Sequence, residues 1–248
     1  MTSTPAAASS DRNSELAAGL ARVRTRIADA CAAAGRDLGE VSMVAVTKTY
    51  PASDVIALVG LGATEVGENR DQEASAKATE VAAAGVTPRW HFIGQLQRNK
   101  ARSVVRYADV VQSVDSVRLA RALDRASAAV RDQPLDVFVQ VSIDGAGARG
   151  GAVPGSADLD AGLEPVAEMV AGVDGLRLAG LMAVAPLGWE PERAFARLAE
   201  VAAGFRVRHP QATLLSAGMS GDLEVAIRYG ATHVRVGSAL LGMRSTLR

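Results

Sequence analysis

Val41-Ser-Met-Val-Ala-Val-Thr-Lys48 is a run of strand-formers closed by a lysine. A run this apolar predicts a strand covered on both faces, as in a parallel sheet flanked by helices. Seven further segments of the same kind follow: Thr64–Gly67, Arg89–Ile93, Val110–Val114, Leu135–Ile143, Leu176–Val184, Thr213–Ser216 and His233–Val236. Helical patterns fill the intervals, among them Ser53–Leu61, Arg70–Ala84, Asn99–Tyr107, Ser116–Val130, Pro191–Val207 and Asp222–Tyr229. Eight β-type segments alternating with helices predict an α/β fold, the (β/α)8 TIM barrel. A doubly wound open sheet would need a topological switch point, and the sequence shows none.

Before the first strand, Leu16, Leu20, Val23, Ile27, Ala30 and Ala34 recur at helical spacing and Gly35 follows as a C-cap. This is an extra N-terminal helix. Residues 1–12 read as a disordered tail and 13–248 as a single barrel domain. The Gly/Ala-rich stretch Asp144–Ala161 reads as a long loop after the fifth strand, since strand-and-helix alternation resumes at once.

Lys48 stands out because the chain has 24 arginines and only three lysines. Arginine can replace lysine as a solvated charge, but it cannot lose a proton to become an amine nucleophile. A lysine at a strand end is therefore a candidate for imine chemistry with an aldehyde or ketone. It can equally be a strand-end charge reaching solvent or a carboxylate. Lys77 lies in a helical pattern and reads as a solvated face; Lys100 reads as a surface charge at a helix start.

Composition narrows the functions. The formal net charge is zero, with Arg, Asp and Glu interspersed, which argues against a nucleic-acid or membrane-surface protein. One cysteine, Cys31, allows no intrachain disulfide and fits a reducing cytoplasm. No signal peptide or transmembrane run is recognisable. Three scattered histidines give no metal-ligand spacing, so no metal is expected.

Barrel chemistry gathers at the C-terminal strand ends. Those ends read Thr47-Lys48-Thr49, Gly67-Glu68-Asn69, Ser216-Ala-Gly218-Met-Ser220-Gly221 and Arg235-Val-Gly237-Ser238. Glycines with small hydroxyl residues leave backbone N–H groups open to an anion, and barrels often hold phosphate after strands seven and eight. The same residues also suit ordinary turns and a helix cap. Together with a lysine on strand one, the loops point to a phosphorylated carbonyl compound, which pyridoxal 5′-phosphate (PLP) is. Arg235 lies between two valines, so its charge needs either a carboxylate or a ligand's ring nitrogen. Glu68 and Asn69 could orient the lysine or the ligand's phenolic oxygen, and Asn69 is taken as a binding residue. His91, between Trp90 and Phe92, reads as a hydrogen-bonded packing residue.

These motifs resemble a known family. Trp90-His-Phe-Ile-Gly-Gln-Leu-Gln-Arg-Asn-Lys-Ala-Arg-Ser-Val104 is similar to the signature of the YggS/PROSC pyridoxal phosphate homeostasis proteins. Val46–Thr49, Gly67–Asn69, Gly180–Ala183, Ser216–Ser220 and Val234–Gly242 agree in order and spacing, over about residues 14 to 244. The resemblance implies a fold type III barrel, similar to the N-terminal domain of alanine racemase, with PLP as an internal aldimine on Lys48. It also implies phosphate contacts from Ser216, Gly218, Met219, Ser220, Gly237 and Ser238, with Arg235 facing the pyridine nitrogen. Departures are Thr47 where many members have serine, Ser142 where an asparagine is common, and the Gly/Ala-rich loop.

The function implied is binding, buffering or delivery of PLP, with effects on amino-acid and keto-acid balance and no turnover. PLP-dependent apoenzymes are the expected partners of a monomer. A fold type III racemase or decarboxylase is the alternative. A racemase of this kind adds a C-terminal β-domain bearing a second base, and the sequence stops directly after the last barrel unit. Of Tyr50, Tyr107 and Tyr229, only Tyr50 is expected near the mouth. A Schiff-base aldolase would want acid/base carboxylates near a lysine on a later strand.

Overall fold

The computed structural model describes residues 5–146 and 150–242. Its strands are β1 (Ser42–Val46), β2 (Glu65–Glu68), β3 (Arg89–Phe92), β4 (Val110–Val114), β5 (Leu135–Gln140), β6 (Leu176–Met182), β7 (Leu214–Ser216) and β8 (His233–Val236). They form one closed parallel barrel in sequence order, as expected. Closure joins β1 to β8, with Val44 opposite Arg235 and Ala45 opposite Val236. The β7–β8 seam is the thinnest, pairing Ser216 with His233. Two loop bonds extend it, from Thr232 N to Leu215 O and from Arg235 N to Gly218 O.

The helices are α1 (Pro5–Ala33), α2 (Ala52–Gly60), α3 (Asp71–Ala83), α4 (Ala101–Val104), α5 (Val117–Ala128), α6 (Leu163–Ala171), α7 (Pro191–Arg208), α8 (Leu223–Arg228) and α9 (Ser238–Leu241). A 3-10 turn, Arg98–Lys100, leads into α4. The expected N-terminal tail divides differently from the reading above. Residues 1–4 lie outside the described residues, whereas 5–12 form the first turns of α1. Arg12 fixes them, donating to Asp54 Oδ2 at 2.7 Å and to the Leu241 carbonyl at 3.2 Å.

Side chains alternate across each strand. Ala45, Val66, Trp90, Val234 and Val236 point outward and pack with Leu16, Leu20, Val23 and Ile27 of α1 and with α2. The opposite parity places Val44, Val46, Glu65, Gly67, His91, His233 and Arg235 inside the barrel. The interior therefore has two halves. Val110, Phe138, Ala179 and Met182 form a small apolar cluster, and the other half mixes Val44 and Val46 with Glu65, His91, His233 and Arg235.

The stretch expected as a plain loop after β5 is tied down. Isolated bridges join Val141 to Ala152 and Val153 to Gly162, and Ala152 is fully buried. Ser142 turns its hydroxyl into this segment, donating to Asp144 Oδ1 at 3.1 Å. Helix α6, which had no marked pattern of its own, follows directly.

Candidate functional site at the barrel mouth

Parity sorts the polar residues at the end of β1 and β2. Lys48 continues the inward series of Val44 and Val46, and the β1–β2 register, Val46 opposite Gly67, sets it level with Asn69. Lys48 is exposed at the mouth. Gly94 backs directly onto Asn69: a Cβ there would lie 2.1 Å from the Asn69 carbonyl oxygen. The loop after β3 thus needs glycine to come this close.

Thr47 and Glu68 have the other parity and face α3. There they meet Lys77, whose ammonium is buried, donating to Glu68 Oε1 at 2.6 Å and to the Thr47 carbonyl at 2.8 Å. This overturns the reading of Lys77 as a solvated residue. Thr47 Oγ1 donates to the same Glu68 oxygen at 2.7 Å. Glu73 lies 3.2 Å from the Lys77 ammonium and accepts the Thr49 N–H at 2.5 Å. Burial pushes the Glu68 carboxyl up, against the opposing pull of Lys77. Thr49 adopts φ 68°, the left-handed region that a β-branched residue enters at a cost on the order of 1–3 kcal/mol. The backbone on both sides of Lys48 is therefore clamped from beneath.

Across the mouth, Arg235 is 4% exposed. It donates to Ser216 Oγ at 2.7 Å and to the Ala183 carbonyl at 2.9 Å. Both acceptors are neutral, and among the described residues it forms no ion pair, so the expected alternative of a carboxylate partner is not what holds it. Burial lowers its pKa to about 10, partly offset by Asp222, so the guanidinium stays charged at neutral pH. Ser216 passes the contact on, donating to Gln112 Oε1 at 2.7 Å. Gln112 Nε2 donates to His91 Nδ1 at 2.8 Å. That assigns the His91 proton to Nε2, which lies 3.0 Å from Glu65 Oε2, though out of good hydrogen-bond alignment. Burial raises the Glu65 carboxyl, but His91, His233 and Arg89 together outweigh it and leave the group below its ordinary value. His233 lies 3.9 Å from the same oxygen.

The two glycine loops sit at the ends of β7 and β8. Gly218 has φ +87°, and a Cβ on it would fall 2.6 Å from the Ala226 methyl, so this glycine serves the turn and the packing of α8. The Met219 N–H is taken by Asp222 Oδ1 at 2.6 Å. Ser220 Oγ accepts from Ala239 N at 3.3 Å, linking the two loops. At Gly237 a Cβ would make only ordinary contact with Val46, at 3.5 Å, which puts the β8 loop beside the β1 end. Ser238 begins α9. The residues named from sequence thus gather around the mouth, but the Ser216 hydroxyl and Met219 amide are already engaged inside the protein. Glu73, Gln112 and Glu65 were not singled out, and the burial of Lys77 was missed. Their only sequence signal is parity on short strands read together with a facing helix.

A barrel with this lysine, buried arginine and pair of glycine loops matches the family model for the alanine racemase N-terminal domain over residues 20–245. A pyridoxal phosphate homeostasis protein from Mycobacterium tuberculosis is 48% identical, the match covering 94% of this chain and 95% of the relative. PipY from Synechococcus elongatus, solved with PLP bound, superposes with a TM-score of 0.76 at 32% identity, covering 92% of this chain and all of PipY. Alanine racemase from Corynebacterium glutamicum shares the fold, with a TM-score of 0.67 at 16% identity; 95% of this chain covers 63% of that enzyme. The chain belongs to the family of pyridoxal phosphate homeostasis proteins, within the wider class of alanine racemase N-terminal-domain barrels.

Two outcomes test the electrostatics. Removing one partner of a buried ion pair leaves the other uncompensated, so Lys77→Met should lower the urea unfolding free energy by about 3–5 kcal/mol. Lys77→Met/Glu68→Leu should recover much of that loss; a double variant no more stable than the single would remove the pair from the account. Burial also depresses His233, from 6.5 to about 4. A base depressed in the folded state contributes stability that is complete above its unfolded pKa and is lost as pH falls toward the folded one. For His233 that window runs from pH 6.5 down to about 4, with up to about 3 kcal/mol involved. Urea midpoints followed across it should fall less steeply in His233→Gln; parallel curves would assign the loss elsewhere.

Proposed function

We propose that this chain binds PLP through Lys48 and serves in intracellular PLP homeostasis, by binding, buffering or delivering the compound. The observation carrying this reading is the placement of the three lysines. Lys77 is buried in an ion pair, and Lys100 lies 3.9 Å from Asp71 in a depression on the far side of Asn69, at the start of α4 rather than on a strand. Lys48 alone is at a strand end on inward parity, between Asn69 and the β8 loop. PLP, when bound, supplies an aldehyde that condenses with amines and a ring that accepts electrons. Lys48 offers the amine.

Arg235 faces the ring nitrogen in this reading. Two of its N–H donors are engaged, and others remain for a ligand. A permanent cation there keeps the nitrogen unprotonated and weakens the ring as an electron sink. Ser220, Gly237 and Ser238 hold the phosphate. Ser216, Gly218 and Met219 act at one remove: Ser216 aims Arg235, and the other two shape the loop. Asn69 is placed to contact the ring's phenolic oxygen. The names and bound ligand of the relatives support the same function over racemisation. Tyr50, the tyrosine expected near the mouth, donates its hydroxyl to the Gly242 carbonyl at 2.6 Å, which is not the posture of a free second base.

PLP-dependent apoenzymes are the proposed recipients, and a cytoplasmic monomer the proposed form. No helix among the described residues is long and apolar enough to cross a membrane. Cys31 is free and buried, which suits a reducing compartment.

Incubation with PLP, borohydride reduction and peptide mapping should place the adduct on the Lys48 peptide, and Lys48→Arg should abolish it. An adduct confined to Lys77 or Lys100 would refute the assignment. Carrier and racemase separate in deuterated water. A racemase needs bases on both faces of the substrate carbon, so L-alanine or L-serine should show negligible α-hydrogen exchange with the PLP-loaded protein. Rapid exchange, or accumulation of the D-isomer, would restore the racemase.

A further inference from the structure

The chain's zero net charge conceals a sorted surface. On the outside of the barrel, between the turn and helix at residues 98–104 and helix α5, runs a groove of about 1020 Å³. Six arginines line it: Arg98, Arg102 and Arg106 on one side, Arg118, Arg121 and Arg125 on the other. Arg118, Arg121 and Arg125 step by three and four residues along one face of α5, while Arg98, Arg102 and Arg106 come from the 3-10 turn, α4 and the turn after it. All six are exposed. Arg118 pairs with Asp160 at 2.6 Å; the other five form no hydrogen bond or ion pair among the described residues. No carboxylate is among the residues lining the groove, and Ala122, Ala126 and half-exposed Val130 give it an apolar floor.

Unpaired like charges held along a shared groove repel one another, and a folded protein that keeps them together gains when an anion arrives. Guanidinium forks match carboxylate and phosphate equally well, so the floor decides between them. Single-stranded nucleic acid is held by basic grooves that carry aromatic platforms for its bases, and no aromatic residue lines this groove. An apolar strip flanked by two cationic rows fits instead an amphipathic helix with an apolar stripe between acidic rows. We propose that this groove docks an acidic amphipathic helix of a protein partner. The groove continues, through Arg98, Asn99 and Arg118, into a depression lined by Gln95, Asp115 and Gly151 at the barrel's C-terminal rim. A helix seated there would lie beside the mouth. The inference goes beyond PLP binding and does not depend on it.

The test uses full-length protein and a fluorescein-labelled peptide carrying a leucine–alanine stripe between two rows of glutamate. Controls are a scrambled peptide of the same composition and a single-stranded oligothymidylate, all read by fluorescence anisotropy at near-physiological salt. The amphipathic peptide should bind more tightly than either control. Arg102→Ala/Arg121→Ala/Arg125→Ala should weaken it about tenfold or more, while unfolding temperature and PLP uptake stay at wild-type values. Arg102→Lys/Arg121→Lys/Arg125→Lys should retain most of the binding, and Lys48→Ala should retain all of it. Peptide affinity that is absent, or unchanged in the triple alanine variant, would overturn the proposal. So would tighter arginine-dependent binding of the oligonucleotide, which would assign the groove to a phosphate backbone. A wild-type dimer in sedimentation that the triple variant dissociates would assign it to a second copy of the chain and overturn it as well.

Discussion

A buried ammonium–carboxylate contact lies beneath the mouth of this barrel. Lys77 reaches from α3 to Glu68 at the end of β2 and to the carbonyl of Thr47 at the end of β1. Two strands and a helix are thereby fixed at one point, just below Lys48. A buried ion pair gives little net stability compared with a well-packed apolar pair of the same volume. Its value here is directional. An apolar pair would fill the space, whereas the ammonium also holds the Thr47 carbonyl, and Glu73 holds the next amide but one. A strained Thr49 follows from those bonds, and the strain is confined to the turn that presents Lys48.

The opposite side of the mouth is organised by neutral groups. Arg235 keeps its charge in the barrel interior by donating to Ser216 and to Ala183, and the nearest continuation of that contact runs through Gln112 and His91 to Glu65. Placing the carboxylate at the far end leaves the guanidinium uncancelled where a ligand would meet it. Had Glu65 paired with Arg235 directly, the site would hold a closed salt bridge with little field left for a ring nitrogen. Separating the two charges by three side chains gives Arg235, Ser216 and Gln112 hydrogen-bond partners and preserves the cation at the mouth, while His91 Nε2 and Glu65 Oε2 meet out of alignment at the far end.

The barrel was legible because each strand carries a compact apolar run, and its end residues fall where barrel chemistry is found. Lys48, Arg235 and the two glycine loops could be named on that ground, and their family resemblance pointed the same way. What escaped depends on pairing across elements. Lys77 sits in a helical pattern that says nothing of Glu68 opposite it, so a buried cation looked solvated. Ser216 was named for its place in the β7 loop, and sequence does not show the Gln112 and Arg235 that its hydroxyl meets. The arginine rows were invisible because two segments contribute them and the acidic residues elsewhere cancel them in any sum. Pro5–Asp11 looked like a tail since small polar residues give no periodic apolar face, while the bond from Arg12 to Asp54 joins positions 42 residues apart, across α1 and β1.

Closure of β1 onto β8 gives the protein a temporal property. Lys48 lies in the first βα unit and Gly237 and Ser238 in the last, so the ribosome makes the two sides of the mouth far apart in time. Helix α1 braces the late loops as well, with Gly19 pressed against the Leu240 backbone and Arg26 bound to the Ser220 carbonyl. A nascent chain short of β8 would present Lys48 with no β8 loop opposite, and the contacts that join them are among the most distant in sequence and so among the slowest to form. Closure of the mouth is thereby coupled to synthesis of β8: a chain short of that strand has only one side of it.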